Sequence, residues 1–170
     1  MKRKKKSYAK PRKPHEKQRI LDENVIKKKY GLKNKTEIWK ADAKIQQIRQ
    51  RAKGLISGDE KEKAAFFDKL KKIGLNVSSI PDVLALTTED LLKRRLQTVL
   101  VDKKLARTTR AARQLITHKQ VLVKGEAVNI PSYIVSTSLE NEIKLNLRPI
   151  RHESLKKKGD SDENALEVEN

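Results

Sequence analysis

A large excess of positive charge is the feature that most limits how this chain can fold. The 170 residues include 41 Lys and Arg but 22 Asp and Glu, giving a formal net charge of +19. Hydrophobic residues make up 36% of the chain, less than an ordinary globular domain carries. A segment that buries little apolar surface cannot offset the entropy lost on ordering. We therefore expect a small core with basic extensions, and a polyanion as the first candidate partner.

Several classes of protein are excluded or disfavoured by what the sequence lacks. At roughly 150 residues per domain, the length allows one domain with extensions or two small ones, but no large catalytic barrel. The absence of Cys rules out disulfides and thiolate zinc sites and favours the reducing interior of a cell. There is no apolar run long enough for a membrane span, and no apolar stretch follows the basic N-terminus as a secretory signal would require. We expect a soluble protein that is not exported and has no membrane partner.

The two ends of the chain carry opposite charge. Residues 1–20 contain ten basic groups and one acid, and Pro11 and Pro14 interrupt any helix, so we predict an extended basic arm that orders only on assembly. Residues 159–170 contain five acids and no basic group. We predict that the C-terminal tail, 151–170, is acidic and disordered.

Apolar spacing predicts a helical N-terminal domain over residues 21–90. A first helix runs from Asn24 to Tyr30 and stops at Gly31, and a second begins with a capping pair formed by Asn34 and Glu37. Its apolar stripe recurs at spacings of three and four residues, at Ile38, Ala41, Ile45, Ile48, Ala52 and Leu55. Basic residues lie off this stripe, at Lys40, Lys44, Arg49, Arg51 and Lys53. Gly58 is expected to break this helix, and a third is predicted to end at Gly74.

The spacing of apolar residues changes from a helical period to a strand period after residue 117. This change predicts an α+β module over residues 91–150. Thr87 and Asp90 form a capping signal for one helix that continues to Leu100. Thr108 is a good N-cap for a short helix over 109–117. A hairpin turning at Gly125 and short strands over 133–135 and 143–147 then complete two helices packed on a small antiparallel sheet.

Catalytic or metal-binding motifs are absent from the sequence. His15, His118 and His152 are far apart and fit no metal-ligand spacing, and there is neither a glycine-rich phosphate loop nor a nucleophile elbow. We expect no enzyme activity, no metal and no cofactor.

Basic side chains cluster around the predicted 109–117 helix. Arg110 and Arg113 lie one turn apart and would, on their own, indicate an ordinary solvated face. Further basic and polar residues on the preceding helix and at the joint with the hairpin suggest one edge that matches phosphate oxygens. Because aromatic residues are few, recognition of the backbone and groove shape of a folded RNA is favoured over base stacking. For Trp39, both a packing role and an RNA-facing role remain open.

The second half of the chain resembles the S-four RNA-binding module. The resemblance lies in Arg94–Leu100, Leu105–His118, Val121–Gly125 and Val128–Tyr133. Upstream, Tyr30–Ala41 is similar to the N-terminal helical region of the family of small-subunit ribosomal protein number four, in its archaeal and eukaryotic form. The resulting set of predicted RNA-binding residues is Arg94, Arg95, Arg107, Thr108, Arg110, Arg113, Gln114, His118, Lys119, Gln120 and Lys124.

The family resemblance implies a structural constituent of the cytoplasmic small ribosomal subunit. It implies a primary rRNA binder that nucleates assembly of the subunit body, contributes to decoding accuracy and lies near the channel through which mRNA enters. Neighbours would be small-subunit proteins number three and five. Alternatives are an RNA-modifying or RNA-chaperone protein carrying the module, or a basic protein of chromatin or membrane surfaces.

Two positions depart from the family pattern. Lys119 stands where many relatives have Gly, and Lys124 replaces the usual Asn before Gly125. Both departures put a less permissive side chain where a positive φ can be required, so the turn types are left open.

Overall fold

α-Helices form most of the secondary structure of the described residues, and a small sheet follows them. The computed structural model describes residues 7–146. The α-helices in this part of the chain are α1 (Lys17–Lys29), α2 (Thr36–Gly54), α3 (Glu60–Ile73), α4 (Ile80–Ala85), α5 (Thr88–Lys93), α6 (Leu96–Asp102) and α7 (Thr109–Thr117). They are followed by β1 (Val121–Val123), β2 (Glu126–Ala127), a 3₁₀ helix (Thr137–Glu142) and β3 (Ile143–Leu145). The predicted acidic tail and the first six residues of the predicted arm lie outside the described residues.

The first helix begins earlier than the sequence indicated. Because α1 starts at Lys17, the last residues of the predicted extended arm are helical. Arg19 explains this start: its Nη1 lies 2.5 Å from Glu23 Oε1 one turn later, and its Nη2 donates to the carbonyls of Lys13 and Pro14. These bonds tie the segment before the helix to its first turn.

Glu23 and Trp39 join α1 to α2. Glu23 is buried, accepts a 2.9 Å hydrogen bond from Trp39 Nε1 and lies 3.1 Å from Lys35 Nζ. Burial raises the pKa of Glu23, but the hydrogen bonds from Trp39, Arg19 and Lys35 outweigh it and the net pKa is lowered. The Trp39 ring also packs near Tyr8, with centroids 6.1 Å apart. The indole therefore has a packing role between the two helices.

The predicted cap of α2 is wrong. The helix is preceded by Lys35, whose side chain does not cap it, and Glu37 Oε1 accepts the backbone N–H of Lys33 at 3.3 Å rather than pairing with Asn34. The helix also ends at Gly54 rather than at Gly58. By contrast, Gly74 ends α3 as predicted, in a left-handed conformation with φ of 89°.

The predicted helix from Thr87 to Leu100 is in fact two helices. The capping box of Thr87 and Asp90 is present, but Arg95 adopts an extended conformation with ψ of 142°. Leu96 N–H donates to the Tyr133 carbonyl at 2.8 Å, and Val135 N–H donates to the Arg94 carbonyl at 3.0 Å. The predicted strand over 133–135 thus pairs with this break through one isolated bridge, and it does not join the sheet.

The sheet has the order β2-β1-β3, with both pairs antiparallel. Lys124 and Gly125 connect β1 to β2 with φ values of 54° and 83°, the two positive φ values that a type I′ turn requires. Lys119, with φ of 59°, takes the left-handed position after α7. The positive φ anticipated at both lysines is therefore present.

Two hydrophobic clusters support these elements. The first extends from Tyr30 to Leu92 and includes the stripe of α2, Phe66 and Leu70. The second extends from Leu96 to Ile143 and packs α6 and α7 against the sheet. None of the described helices is both long and apolar enough to cross a lipid bilayer. The architecture is α+β, as predicted.

Candidate nucleic-acid interface

The start of α7 is fixed against the turn between α1 and α2. Thr108 Oγ1 accepts the Ala111 N–H at 3.2 Å and so caps the helix as predicted. Gly31 lies directly against Thr109, so closely that a Cβ at Gly31 would be 2.6 Å from Thr109 Oγ1. The side-chain amide of Gln97 donates to the carbonyl of Tyr30. These contacts join α6 and the start of α7 to the turn that follows α1.

Exposed basic and polar side chains lie on α7 and at its two ends. Arg110 and Gln114 lie four residues apart on one face of the helix, Arg107 precedes its N-cap, and His118 and Lys119 follow its last turn. We call this set the α7 surface, which consists of Arg107, Arg110, Gln114, His118 and Lys119. Among residues 7–146, none of these side chains makes an ion pair or a side-chain hydrogen bond. The α7 surface is therefore a strip of exposed donors with unused hydrogen-bonding capacity.

The other predicted residues around the sheet lie beside this strip or away from it. Gln120 is half-buried between Lys119 and β1, and Thr108 uses its hydroxyl as the cap of α7. Lys124 is exposed in the hairpin turn. Strand β1 separates it from Gln120, and this stretch of extended chain is about 13 Å long. Lys124 is therefore an exposed cation at the end of the central strand of the sheet, outside the α7 surface.

Arg94 and Arg95 make internal contacts, in contrast to the predicted phosphate-facing role. Arg94 Nε donates to the Ile73 carbonyl at 3.0 Å, and its Nη2 lies 3.1 Å from Glu140 Oε2. The Arg95 side chain is 6% exposed, with Nη2 2.6 Å from Glu37 Oε2. The reason is the break between α5 and α6, which turns both guanidinium groups into the junction of the two clusters.

Glu37 connects two arginines that are distant in sequence. Arg113, 25% exposed, approaches it in a two-pronged arrangement: Nη2 lies 3.0 Å from Oε1 and Nη1 lies 3.3 Å from Oε2. Burial raises the pKa of Glu37, but the hydrogen bonds and charges of Arg113 and Arg95 outweigh it and lower the net pKa. Glu37 is thus ionised at neutral pH. Sequence reasoning missed this cluster because its members carry no local signal of pairing.

A groove lies beside the Glu37 cluster, between α2 and the α5–α6 region. Its volume is about 410 Å³. It is lined by Ser7, Glu37, Lys40, Ala41, Lys44, Gln47, Leu91, Leu92, Arg95, Arg113, Pro131, Ser132 and Ile134. Sequence reasoning placed Lys40 and Lys44 off the apolar stripe but gave them no role, although their spacing of four residues puts both on one face of α2.

Within residues 7–146, no group of three or more His, Asp or Glu side chains is arranged to hold a metal ion.

Comparison with known proteins covers both halves of the chain. The S4 domain family matches residues 94–141, from the end of α5 to the 3₁₀ helix. A small ribosomal subunit protein uS4 from Nanoarchaeum equitans is 42% identical over 149 residues, covering 83% of this chain and 83% of that protein. The uS4 proteins of Saccharolobus islandicus and Thermoplasma volcanium are 42% and 41% identical, and the matches cover 82% and 74% of their lengths.

The chain belongs to the uS4 family. Membership confirms the resemblance found in the sequence and its archaeal type. It also confirms the expectation that the chain is not an enzyme, because uS4 proteins are components of the ribosome. The matched S4 domain contains α6, α7, β1 and β2, and therefore the whole α7 surface.

Proposed function

We propose that the chain is a structural constituent of the cytoplasmic small ribosomal subunit and binds small-subunit rRNA through the α7 surface. The relatives that match most of its length are small ribosomal subunit proteins. The S4 domain contains the α7 surface, which supports assigning RNA contact to this face.

The distribution of charged residues around α7 is the observation that supports this proposal. Arg107 and Arg110 stand at the N-terminal end of the helix, where the helix dipole disfavours cations, and its first turn holds no acidic residue. These cations therefore do not serve helix stability. Phosphate oxygens would use both their charge and the positive helix end. Arg94 and Arg95 would act differently, by positioning the S4 domain on the helical region.

Finer parts of the function follow from the family resemblance. We propose that binding nucleates assembly of the subunit body and that the bound protein lies near the channel through which mRNA enters, where it influences decoding accuracy. Small-subunit proteins number three and five would be neighbours there. The exposed basic residues Lys10, Arg12 and Lys13 of the arm would make contact with rRNA on assembly.

Arg110→Glu tests the role of the α7 surface, with Lys69→Glu as the matched control. Lys69 is exposed on α3, away from α7, and the substitution makes the same change in net charge. In filter binding to small-subunit rRNA at fixed salt, we expect Arg110→Glu to weaken binding by about tenfold or more and the control to change it by about twofold. Equal effects of the two variants would contradict the proposal.

Salt dependence and competition separate this function from the alternatives. Arg110→Ala should reduce the slope of log affinity against log salt by about one if Arg110 neutralises one phosphate. Unlabelled duplex DNA and anionic vesicles should compete poorly with rRNA. Effective competition by either would favour a protein of chromatin or of membrane surfaces.

A further inference from the structure

The groove beside the Glu37 cluster combines positive charge with an apolar wall. Its volume of about 410 Å³ lies within the range of roughly 300–1,000 Å³ that is typical of small-ligand sites. Four of its lining residues are cationic and one is anionic. The charge balance therefore favours an anionic occupant.

The Glu37 cluster leaves positive charge uncompensated inside the groove. Arg95 and Arg113 share the single carboxylate of Glu37, and Lys40 and Lys44 add charge from α2. Lys40 and Lys44 are exposed and pair with no carboxylate among the described residues, so their charges are available to an anion, whereas Arg95 and Arg113 are already held by Glu37. An anion in the groove would pair this excess, while Glu37 would keep both guanidinium groups in position.

Arg95 places a buried positive charge at the edge of the groove. The residue is 5% exposed, and its Nε is buried without an acceptor in the part of the chain that the structure describes. A buried donor without an acceptor costs free energy, so such atoms in native proteins usually have a partner. Because the Nε atom itself is buried, Arg95 contributes positive charge beside the groove and not a donor that a ligand would reach.

Part of the lining is apolar and suits more than a simple anion. This part comprises Leu91, Leu92, Pro131 and Ile134, together with Ala41 on α2. None of the described groove-lining residues is aromatic, so a base here would be held by apolar contact and not by stacking between rings. Folded RNA presents suitable groups at bulges and loops, where unstacked bases can be splayed out.

We propose that this groove binds one unstacked nucleotide of the rRNA, with its phosphate at Lys40, Lys44 and Arg113 and its base against the half-buried Pro131 and Ile134. This inference rests on the proposed rRNA-binding function and adds a second contact that is separate from the α7 surface. Recognition would depend on an extruded nucleotide, and so on RNA shape.

Filling the groove without changing charge tests the proposal. Ser132 is exposed and lines the groove, so Ser132→Tyr would occupy the space intended for the base. Ser57, exposed in the loop after α2 and not a lining residue, gives the matched control Ser57→Tyr. We expect Ser132→Tyr to weaken rRNA binding about tenfold and Ser57→Tyr to leave it unchanged. Unchanged binding by folded Ser132→Tyr would overturn the proposal.

Mononucleotides test the same groove independently of rRNA binding. Adenosine and uridine 5′-monophosphate should bind the full chain saturably in an NMR titration, with shifts at Lys44 and Ser132, and more tightly than inorganic phosphate. Lys44→Gln, a second variant that adds no bulk, should weaken their binding. Equal affinity for nucleotides and inorganic phosphate would mean a plain anion site and would also overturn the proposal.

The pair of variants distinguishes the two proposals. If Arg110→Glu weakens rRNA binding and Ser132→Tyr does not, the groove inference fails and the α7 surface stands. If Ser132→Tyr weakens binding and Arg110→Glu does not, the groove stands and the α7 assignment fails. Tryptophan fluorescence of Trp39 reports whether each variant is folded.

Discussion

Removing the carboxylate of Glu37 should destabilise the protein far more than removing an exposed ion pair. In Glu37→Ala, the guanidinium of Arg95 stays at the junction of the two hydrophobic clusters with no counterion. Its side chain is 6% exposed, so it cannot simply turn into water. Arg113 is 25% exposed and can relax toward solvent.

The structure sets the size of this effect. Breaking a buried pair by removing one partner costs about 3–5 kcal/mol, and the lower end applies to Arg95 because it borders a groove. The partly exposed Arg113 should add about 0.5–1 kcal/mol. We expect a loss of about 3.5–4 kcal/mol, which is a large share of the roughly 5–15 kcal/mol that stabilises a typical domain.

Urea unfolding followed by Trp39 fluorescence measures this loss. Lys29→Ala is the control, because Lys29 and Glu89 form an ion pair of 2.6 Å whose side chains are 57% and 34% exposed. The control should lose about 0–1 kcal/mol. Combining Glu37→Ala with Arg95→Met should recover most of the stability, because no buried charge is left unpaired. A loss below about 1 kcal/mol for Glu37→Ala would refute this reasoning.

Three further predictions concern pH, capping and backbone conformation. Because the pKa of Glu37 is lowered in the folded protein, the ionised carboxylate stabilises the fold at neutral pH, and this stabilisation is lost as pH falls below the ordinary value of 4.5. In Glu37→Gln, the unfolding free energy should therefore fall less steeply with acidification than in the unsubstituted protein. Parallel pH profiles of the two proteins would contradict this. Thr108→Ala should cost about 1 kcal/mol in urea unfolding and Thr108→Ser much less, since only Ala removes the cap oxygen. Gly31→Ala should lower the free energy of unfolding more than Gly125→Ala. Both glycines have positive φ, but only Gly31 is pressed against Thr109. Equal losses in the two variants would show that the close contact does not matter.

Local signals predicted the elements that depend on nearby residues. Helix α7 has the bounds expected from the Thr108 cap and the period of its apolar residues. The turn at Lys124 and Gly125 follows from a two-residue link between strands, which requires positive φ at both positions. In each case the determining contacts lie within a few residues of one another.

Features that depend on distant contacts could not be predicted. The break at Arg95 exists because the segment around Ile134 pairs with it, and nothing in the local sequence between Leu92 and Leu96 indicates this. The family pattern assigned Arg94 and Arg95 to RNA, but their internal partners are Glu140 and Glu37. A pattern of basic residues shows that charge is present, and only the fold shows which charges are already neutralised.

The contact between Gly31 and Thr109 bears on the order in which the protein forms during synthesis. A ribosome delivers the N-terminal half first, so the Tyr30 carbonyl and the packing face at Gly31 are complete before Gln97 and Thr109 have been translated. The helical region therefore exposes the Gly31 face until α7 has been synthesised and packs against it. Because the first hydrophobic cluster is complete only with Leu92, a pause in translation after Leu92 and before Thr109 would lengthen the time during which the Gly31 face stays exposed to other chains.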